Sequence, residues 1–141
     1  MKLGEIQKIY VELTNDKNFT KKPLVDKNLP MKIGFIIQNN IQRMEPIITS
    51  IDKSRQKLAE KYAVRDENGQ IVSNGSGVPI ADSYKFNIEY SELMETETNI
   101  EFCKFKMSDL EILEDEEKCK EYGYDKLTVG ELGALSHMIE G

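Results

Sequence analysis

Cysteine and histidine are scarce in this sequence, which has two cysteines and one histidine in 141 residues. Cys103 and Cys119 form no CxxC motif, and no histidine lies near either of them. Because structural zinc sites usually have four Cys or His ligands, these residues cannot complete one unless acids or other copies contribute. His137 has no acid at a local helical spacing, so a catalytic role would need partners from distant parts of the chain. Two separate cysteines are typical of a reduced, intracellular protein.

Long hydrophobic runs are also missing. No apolar run approaches the roughly 18 residues that a membrane-spanning helix needs, and the opening "MKLGEIQKIY" lacks the apolar stretch of a signal peptide. Neither GxxxxGK[ST] nor GxGxxG occurs, and the acids do not have the spacing of a calcium loop. We therefore predict no membrane contact, no export, no metal and no cofactor.

The charges are distributed unevenly along the chain, whose net charge is −6. Residues 1–62 carry twelve Lys/Arg and seven Asp/Glu, a balance of +5, whereas residues 63–141 carry seven and eighteen, a balance of −11. The acidic half disfavours broad contact with a nucleic-acid backbone. The basic half suits an acidic partner, a nucleotide or the acidic half of another copy.

The strongest pattern is a heptad repeat with alternating spacings of four and three residues. Its apolar positions are Ile37, Ile41, Met44, Ile48, Ile51, Leu58 and Tyr62. We call the row of these heptad positions along the helix the seam. Arg55 takes the one position of the seam that is not apolar. The pattern predicts a long amphipathic helix over 31–62, with an apolar stripe that is wide for one partner helix to cover.

Pro46 lies inside this predicted helix. A proline in a helix removes one backbone hydrogen bond and crowds the carbonyl of the residue four positions earlier, here Gln42. Either the helix kinks and continues, or it ends near Met44 and a second helix begins with Pro46 in its first turn. The unbroken heptad phase and the poor capping ability of Glu45 favour one kinked helix.

The remaining segments are assigned from turn signals and periodicity. Asn68-Gly69 and Asn74-Gly75 are typical of hairpin turns. In the alternating stretch over 99–107, a bulge near 102–103 would bring the apolar residues onto one face of a strand. Ser108 with Glu111, and Thr128 with Glu131, have capping-box spacing. The predicted segments are a helix over 2–14, a loop over 15–30, the long helix over 31–62, a turn-rich hairpin or loop over 65–83, a helix over 84–97, a strand over 99–107 and a helical part over 108–141.

These segments together predict a single α+β domain. Its parts would be a long central helix, shorter helices near both ends, and a small antiparallel β-sheet built from 69–80 and 99–107.

We expect self-association through the seam, because an exposed stripe of this width would be aggregation-prone. The interface residues would be Ile37, Ile41, Met44, Ile48, Ile51 and Leu58. Arg55 within the seam would need a compensating anion, and its planar guanidinium suits carboxylate or phosphate. The candidate binding residues are Arg43, Lys53, Arg55, Lys57, Tyr84 and Phe86.

The order of elements resembles a set of small proteins encoded by phages and prophages of low-GC Gram-positive bacteria. The resemblance covers nearly the whole chain, through "MKLGEIQKIY", "LPMKIGFIIQNNIQ", "LAEKYAVRDENG", "YSELMETETNIEFCKFKMSDLEIL" and "LTVGELGALSHMIEG". The sequence departs from that pattern at Pro46 and in the Gly/Ser-rich insertion at 73–79. The resemblance implies a location in the cytoplasm of an infected or lysogenic host, and it implies no particular activity.

The function that we predict is non-enzymatic: a phage-type protein that inhibits or sequesters a host component, either a defence protein or a small nucleotide signal. A structural component or assembly factor of the virion is the alternative. An enzyme is disfavoured, because the sequence offers no nucleophile–base pair and no metal-ligand spacing.

Overall fold

Two helices of very different length organise the fold. The structure is a computed structural model that describes residues 1–14, 23–73 and 77–140. Helix α1 is Leu3–Thr14, and helix α2 is Met31–Lys61. Helix α2 runs through Pro46 without interruption, so the continuity of the favoured kinked helix is confirmed and no second helix begins at the proline. The kink itself stays a prediction. The part of the predicted 15–30 loop at 15–22 lies outside the described residues.

The core forms where α1 and the first two-thirds of α2 meet the C-terminal part of the chain. Helix α5 is Val129–Leu135, and the 3₁₀ helices Leu24–Asp26, Met107–Glu114 and Ser136–Met138 close the core around it. The main buried cluster consists of Ile6, Ile9, Leu13, Leu24, Leu29, Ile33, Ile36, Ile37, Ile41, Met44, Phe105, Leu110, Ala134, Leu135 and Met138. About half of the aliphatic side chains of α2 therefore pack in the core of the chain itself, without a second copy.

A buried asparagine attaches the segment around Cys103 to α2. The side chain of Asn40 is fully buried, donates to the Cys103 carbonyl at 2.9 Å and accepts from the Cys103 amide at 2.7 Å. These two bonds satisfy the backbone of Cys103 as a neighbouring strand would. Phe105, two residues later, is 1% exposed in the core. One polar side chain thus fixes how an extended segment crosses the helix.

The C-terminal part is held by the residues before α2. Lys27 forms an ion pair of 2.6 Å with Glu131, and these side chains are 10% and 7% exposed. The side-chain amide of Asn28 donates to the carbonyls of Tyr122 and Gly123, at the end of helix α4, Glu116–Tyr122. These contacts join parts of the chain about a hundred residues apart in sequence.

Helix α3, Ser83–Met94, packs beside the C-terminal part of α2. The carboxylate of Asp82 caps its first turn by accepting from the Lys85 amide. Between the two helices, the chain makes a tight turn in which the Asp66 carboxylate accepts from the amides of Asn68 and Gln70. Gly69 has a φ of 77° in this turn, as expected for a hairpin-type Asn-Gly. The second such dipeptide, Asn74-Gly75, lies outside the described residues.

The predicted small β-sheet is wrong. Over 1–14, 23–73 and 77–140 the structure contains no β-strand, only isolated bridges such as Arg65 with Ile71 and Phe105 with Ile139. The two segments expected to pair have other partners. Gln70, Val72 and Pro79 bond to the backbone just after α2. The 99–107 segment bonds to Asn40 and to residues near the C-terminus. The fold class is therefore helical, not α+β.

The two predicted capping boxes have different outcomes. Thr128 and Glu131 bond reciprocally at 3.2 and 2.8 Å, so that prediction is confirmed. Ser108 and Glu111 do not form the other box. The 3₁₀ helix begins one residue before Ser108, and the Asp109 carboxylate accepts from the Lys106 amide instead. Asp109 also pairs with Lys32 of α2, a tertiary contact that sequence spacing does not reveal.

Candidate functional site

One part of the molecule outside the main buried cluster consists of the end of α2, helix α3 and the residues that join them. We call this part the arm, and its helix α3 packs against α1 as well as α2. It comprises residues 52–73 and 77–96, and none of these residues belongs to the main buried cluster or packs against its edge. Over Ser83–Met94 no residue is classed as buried. A surface that contributes so little to the core is available for contact with other molecules.

A cleft of about 440 Å³ runs between α2 and α3 in the arm. Leu58 and Leu93 provide its apolar surface, Lys57 lines the α2 side, and Glu92 lines the α3 side. A smaller cleft of about 280 Å³ continues past Pro46. The two clefts share Ser54 and Leu93, so they form one groove along α2.

An ion pair closes one side of this groove. Lys61 Nζ lies 2.8 Å from Glu89 Oε1, and it lies 5.2 Å from the centre of the Tyr62 ring. The hydrogen bond to Glu89, with a smaller contribution from Tyr62, raises the pKa of Lys61. The same bond from Lys61 lowers the pKa of Glu89. Both groups meet solvent, so the pair positions α3 and adds little stability.

A third cleft lies on the outer face of α3, with a volume of about 630 Å³. Tyr84 and Ile88 give it an apolar surface, while Glu92 and Glu95 supply negative charge. It shares Glu92 and Thr96 with the cleft between the helices. The arm therefore presents apolar surface on both sides of α3.

The basic residues of α2 in the arm do not converge. At about 100° per residue, Lys53 and Lys57 lie on one side of the helix and Arg55 lies about 160° away. All three side chains are exposed, and within the described part of the chain none has a hydrogen bond or ion pair. Arg55 lies in the heptad seam as predicted, but the core ends before it. The argument that a buried Arg55 needs an anion is therefore wrong.

The other predicted site residues lie apart from these cations. Arg43 donates to the Glu101 carbonyl at 2.6 Å and to Asn39, so it holds the segment before Cys103. Phe86 is half-buried and stacks on Tyr90, with ring centres 6.1 Å apart. Tyr84 is 76% exposed and lies in the outer cleft with two acids.

The predicted interface residues divide into two groups. Ile37, Ile41, Met44 and Ile51 are at most 3% exposed, because the rest of the same chain covers them. They have no free surface for a second copy, which removes the argument for an interface at these four positions. Ile48 and Leu58 are partly buried.

Residues of the arm that the sequence analysis did not select include Ile88, Glu89 and Glu92. Ile88 follows Tyr84 by four residues, and Glu92 follows Ile88 by four. That spacing was a signal for one helix face. It was overlooked because Phe86, Tyr90, Leu93 and Met94 form a stronger apolar stripe on another side.

Comparisons with known proteins found no matching family model, no matching curated protein and no matching solved structure. Throughout 1–14, 23–73 and 77–140, no helix combines the length and apolar character needed to cross a membrane. The same residues hold no group of three or more His, Cys, Asp or Glu side chains placed to bind a metal ion.

Proposed function

We propose that this protein is a non-enzymatic, phage-type binding protein that inhibits or sequesters a host protein by stoichiometric contact through the arm. The observation that carries the proposal is the surface of α2 in the arm, where Lys53, Arg55 and Lys57 are exposed without partners in the described chain. These cations would attract an acidic protein surface, and the groove next to them offers apolar contact at Leu58 and Leu93.

A protein target fits this surface better than a small nucleotide does. Capture of a nucleotide needs cations and an aromatic ring that converge on one small volume. Arg55 points away from Lys53 and Lys57. Exposed Tyr84 shares its cleft with Glu92, which would repel phosphate. A broad protein surface can contact separated charges at once. The phage context, and the alternative of a virion component or assembly factor, rest on the resemblance alone.

The test begins with affinity capture from a lysate of a low-GC Gram-positive host, followed by titration of the captured protein against the purified chain. We expect a saturable complex that weakens as salt is raised, because exposed charges are screened. The double variant Lys53→Glu/Lys57→Glu should weaken binding about tenfold or more, equivalent to at least about 1.4 kcal/mol.

The matched control is Lys118→Glu/Lys120→Glu on α4, which makes the same change in net charge at exposed positions outside the arm. Equal loss of binding in both double variants would show a general effect of charge and remove the arm from the site. Turnover of the captured protein by catalytic amounts of this chain would contradict the non-enzymatic function.

A further inference from the structure

The outer face of α3 combines exposed apolar side chains with a regular arrangement of charge. Tyr84 is 76% exposed and Ile88 is 42% exposed. These residues are four positions apart, so they lie on the same face of the helix. The cleft that they line is open to solvent, and Glu92 lies at its boundary with the groove between α2 and α3.

Lys85 and Glu92 flank Ile88 on the same side of this face. Lys85 precedes Ile88 by three residues and Glu92 follows it by four, which places both within about 60° of Ile88 in the same rotational direction. Both side chains are exposed. Among the described residues, Lys85 Nζ has one ion-pair contact, a distant one of 3.9 Å with Asp82, so it remains available for a closer partner.

This arrangement is complementary to itself in the antiparallel direction. When two identical helices pack antiparallel about a two-fold axis, residues on one flank face the same flank of the other helix. With the axis near Ile88, Lys85 of each helix lies opposite Glu92 of the other. Tyr84 on the other flank then lies opposite Ser91, which is uncharged. Two identical ion pairs would therefore border a contact between the Ile88 side chains.

We propose that the outer face of α3 binds the same face of a second copy of this chain, with the two α3 helices antiparallel and Ile88 near the two-fold axis. This interface replaces the heptad seam predicted from the sequence, whose central residues are buried within the chain. Tyr84 and Ile88 do not line the groove between α2 and α3, and they lie on a different helix from Lys53, Arg55 and Lys57. The inference therefore goes beyond the proposed function and does not depend on it.

The proposed interface is small. Helix α3 has twelve residues and is about 18 Å long, so it buries less than the roughly 800 Å² per partner of a typical stable complex. We therefore expect a reversible dimer with a Kd on the order of 10–100 µM. Such a dimer would double the number of arms available to a target and raise avidity at high local concentration.

The experiment is sedimentation equilibrium of the purified full chain over concentrations from about 1 to 300 µM. The wild-type chain should change from monomer to dimer across this range. Ile88→Glu should raise the Kd at least about tenfold, since a carboxylate in each copy would meet at the axis. Because Ile88 is already partly exposed and α3 has no residue classed as buried, the fold should persist, which circular dichroism and thermal unfolding would verify.

Charge reversal tests the antiparallel register. Lys85→Glu alone and Glu92→Lys alone should each be monomeric, because each places like charges across the interface. An equimolar mixture of the two variants should form a heterodimer, because each acidic flank then faces a basic flank. The double variant Lys85→Glu/Glu92→Lys should dimerise like the wild type. Lys53→Glu/Lys57→Glu, which changes the proposed target-binding side, should leave dimerisation unchanged.

A wild-type chain that stays monomeric at the highest concentration would overturn the proposal. Dimerisation that survives Ile88→Glu and both single charge reversals would also overturn it, since another surface would then be responsible. If mixing the two single variants restores dimerisation, the result would support this face and this register. A structural effect of either substitution alone would not produce a heterodimer.

Discussion

The two parts of helix α2 have the same heptad spacing but different surroundings. Between Met31 and Ile51 most seam positions are buried, α1 and α3 pack against the helix, and Ile37, Ile41 and Met44 belong to the core. Between residues 52 and 61 no side chain is buried, although Leu58 continues the seam. A periodic pattern therefore identifies the apolar side of a helix, and it does not say how far along the helix other elements cover that side.

The ion pairs of the core and the arm differ in the same way. Lys27 and Glu131 are nearly removed from solvent, and Glu131 also caps α5. Lys61 and Glu89 are partly exposed, with side chains 58% and 33% accessible. Burial makes a broken pair costly because the remaining charge is left without solvent, whereas an exposed partner is simply hydrated.

The largest difference in stability between core and arm is expected when the lysine of each ion pair is replaced. Lys27→Met should lower the free energy of unfolding by about 3–5 kcal/mol, because the Glu131 carboxylate stays buried without its cation. Lys61→Met in the arm should change it only slightly, because Glu89 meets water. Urea unfolding followed by circular dichroism measures both variants.

A second variant identifies the cause of the Lys27 effect. Lys27→Met/Glu131→Gln removes both charges and keeps an oxygen that can accept from the Thr128 amide. It should recover much of the lost stability. If it is no more stable than Lys27→Met, the loss comes from packing around Lys27 and not from an uncompensated charge.

The next difference concerns apolar side chains in the seam. Ile37→Ala should destabilise by about 2–5 kcal/mol, because it leaves a cavity in a site that is 2% exposed. Leu58→Ala should cost about 1 kcal/mol, because water already reaches that side chain. The same urea titrations compare the two. Equal losses would contradict the distinction between a covered and an uncovered part of α2.

The smallest expected change in the free energy of unfolding is at Pro46, near the boundary between the covered and uncovered parts of α2. Pro46 is exposed and lies about 180° around the helix from Ile37, so the Gln42 carbonyl that it leaves unbonded is on the side facing water. Pro46→Ala should therefore raise the free energy of unfolding by about 1–2 kcal/mol, less than the roughly 3 kcal/mol typical of a proline in a helix interior. Hydrogen exchange should show a newly protected amide at position 46.

Thr49→Ala is the matched control, because it replaces an exposed residue of the same helix without restoring a backbone hydrogen bond. Its gain should be at most about 0.7 kcal/mol, from helix propensity. A Pro46→Ala variant that is less stable than the wild type would show that the ring makes favourable contacts in the cleft with Leu3 and Ile47.

Local rules of the sequence determined several elements correctly. The heptad phase predicted one continuous helix through Pro46, the Thr128–Glu131 spacing predicted the cap of α5, and Asn68-Gly69 predicted a tight turn. Each of these depends on residues within a few positions of one another, where the geometry of a helix or turn fixes the distances.

Only the tertiary structure decided the rest, because the decisive contacts join residues far apart in the chain. Asn40 and Cys103 are separated by 63 positions, and their bonds replace the β-sheet that alternation around residue 103 predicted. Arg55 is exposed for a similar reason: its place in the seam is set by helical period, while its surroundings depend on where α1 and the C-terminal segments end. Residue spacing along one helix does not show how far the neighbouring elements extend beside it. Burial, charge compensation and the accessible face of the arm all depend on how far those elements extend.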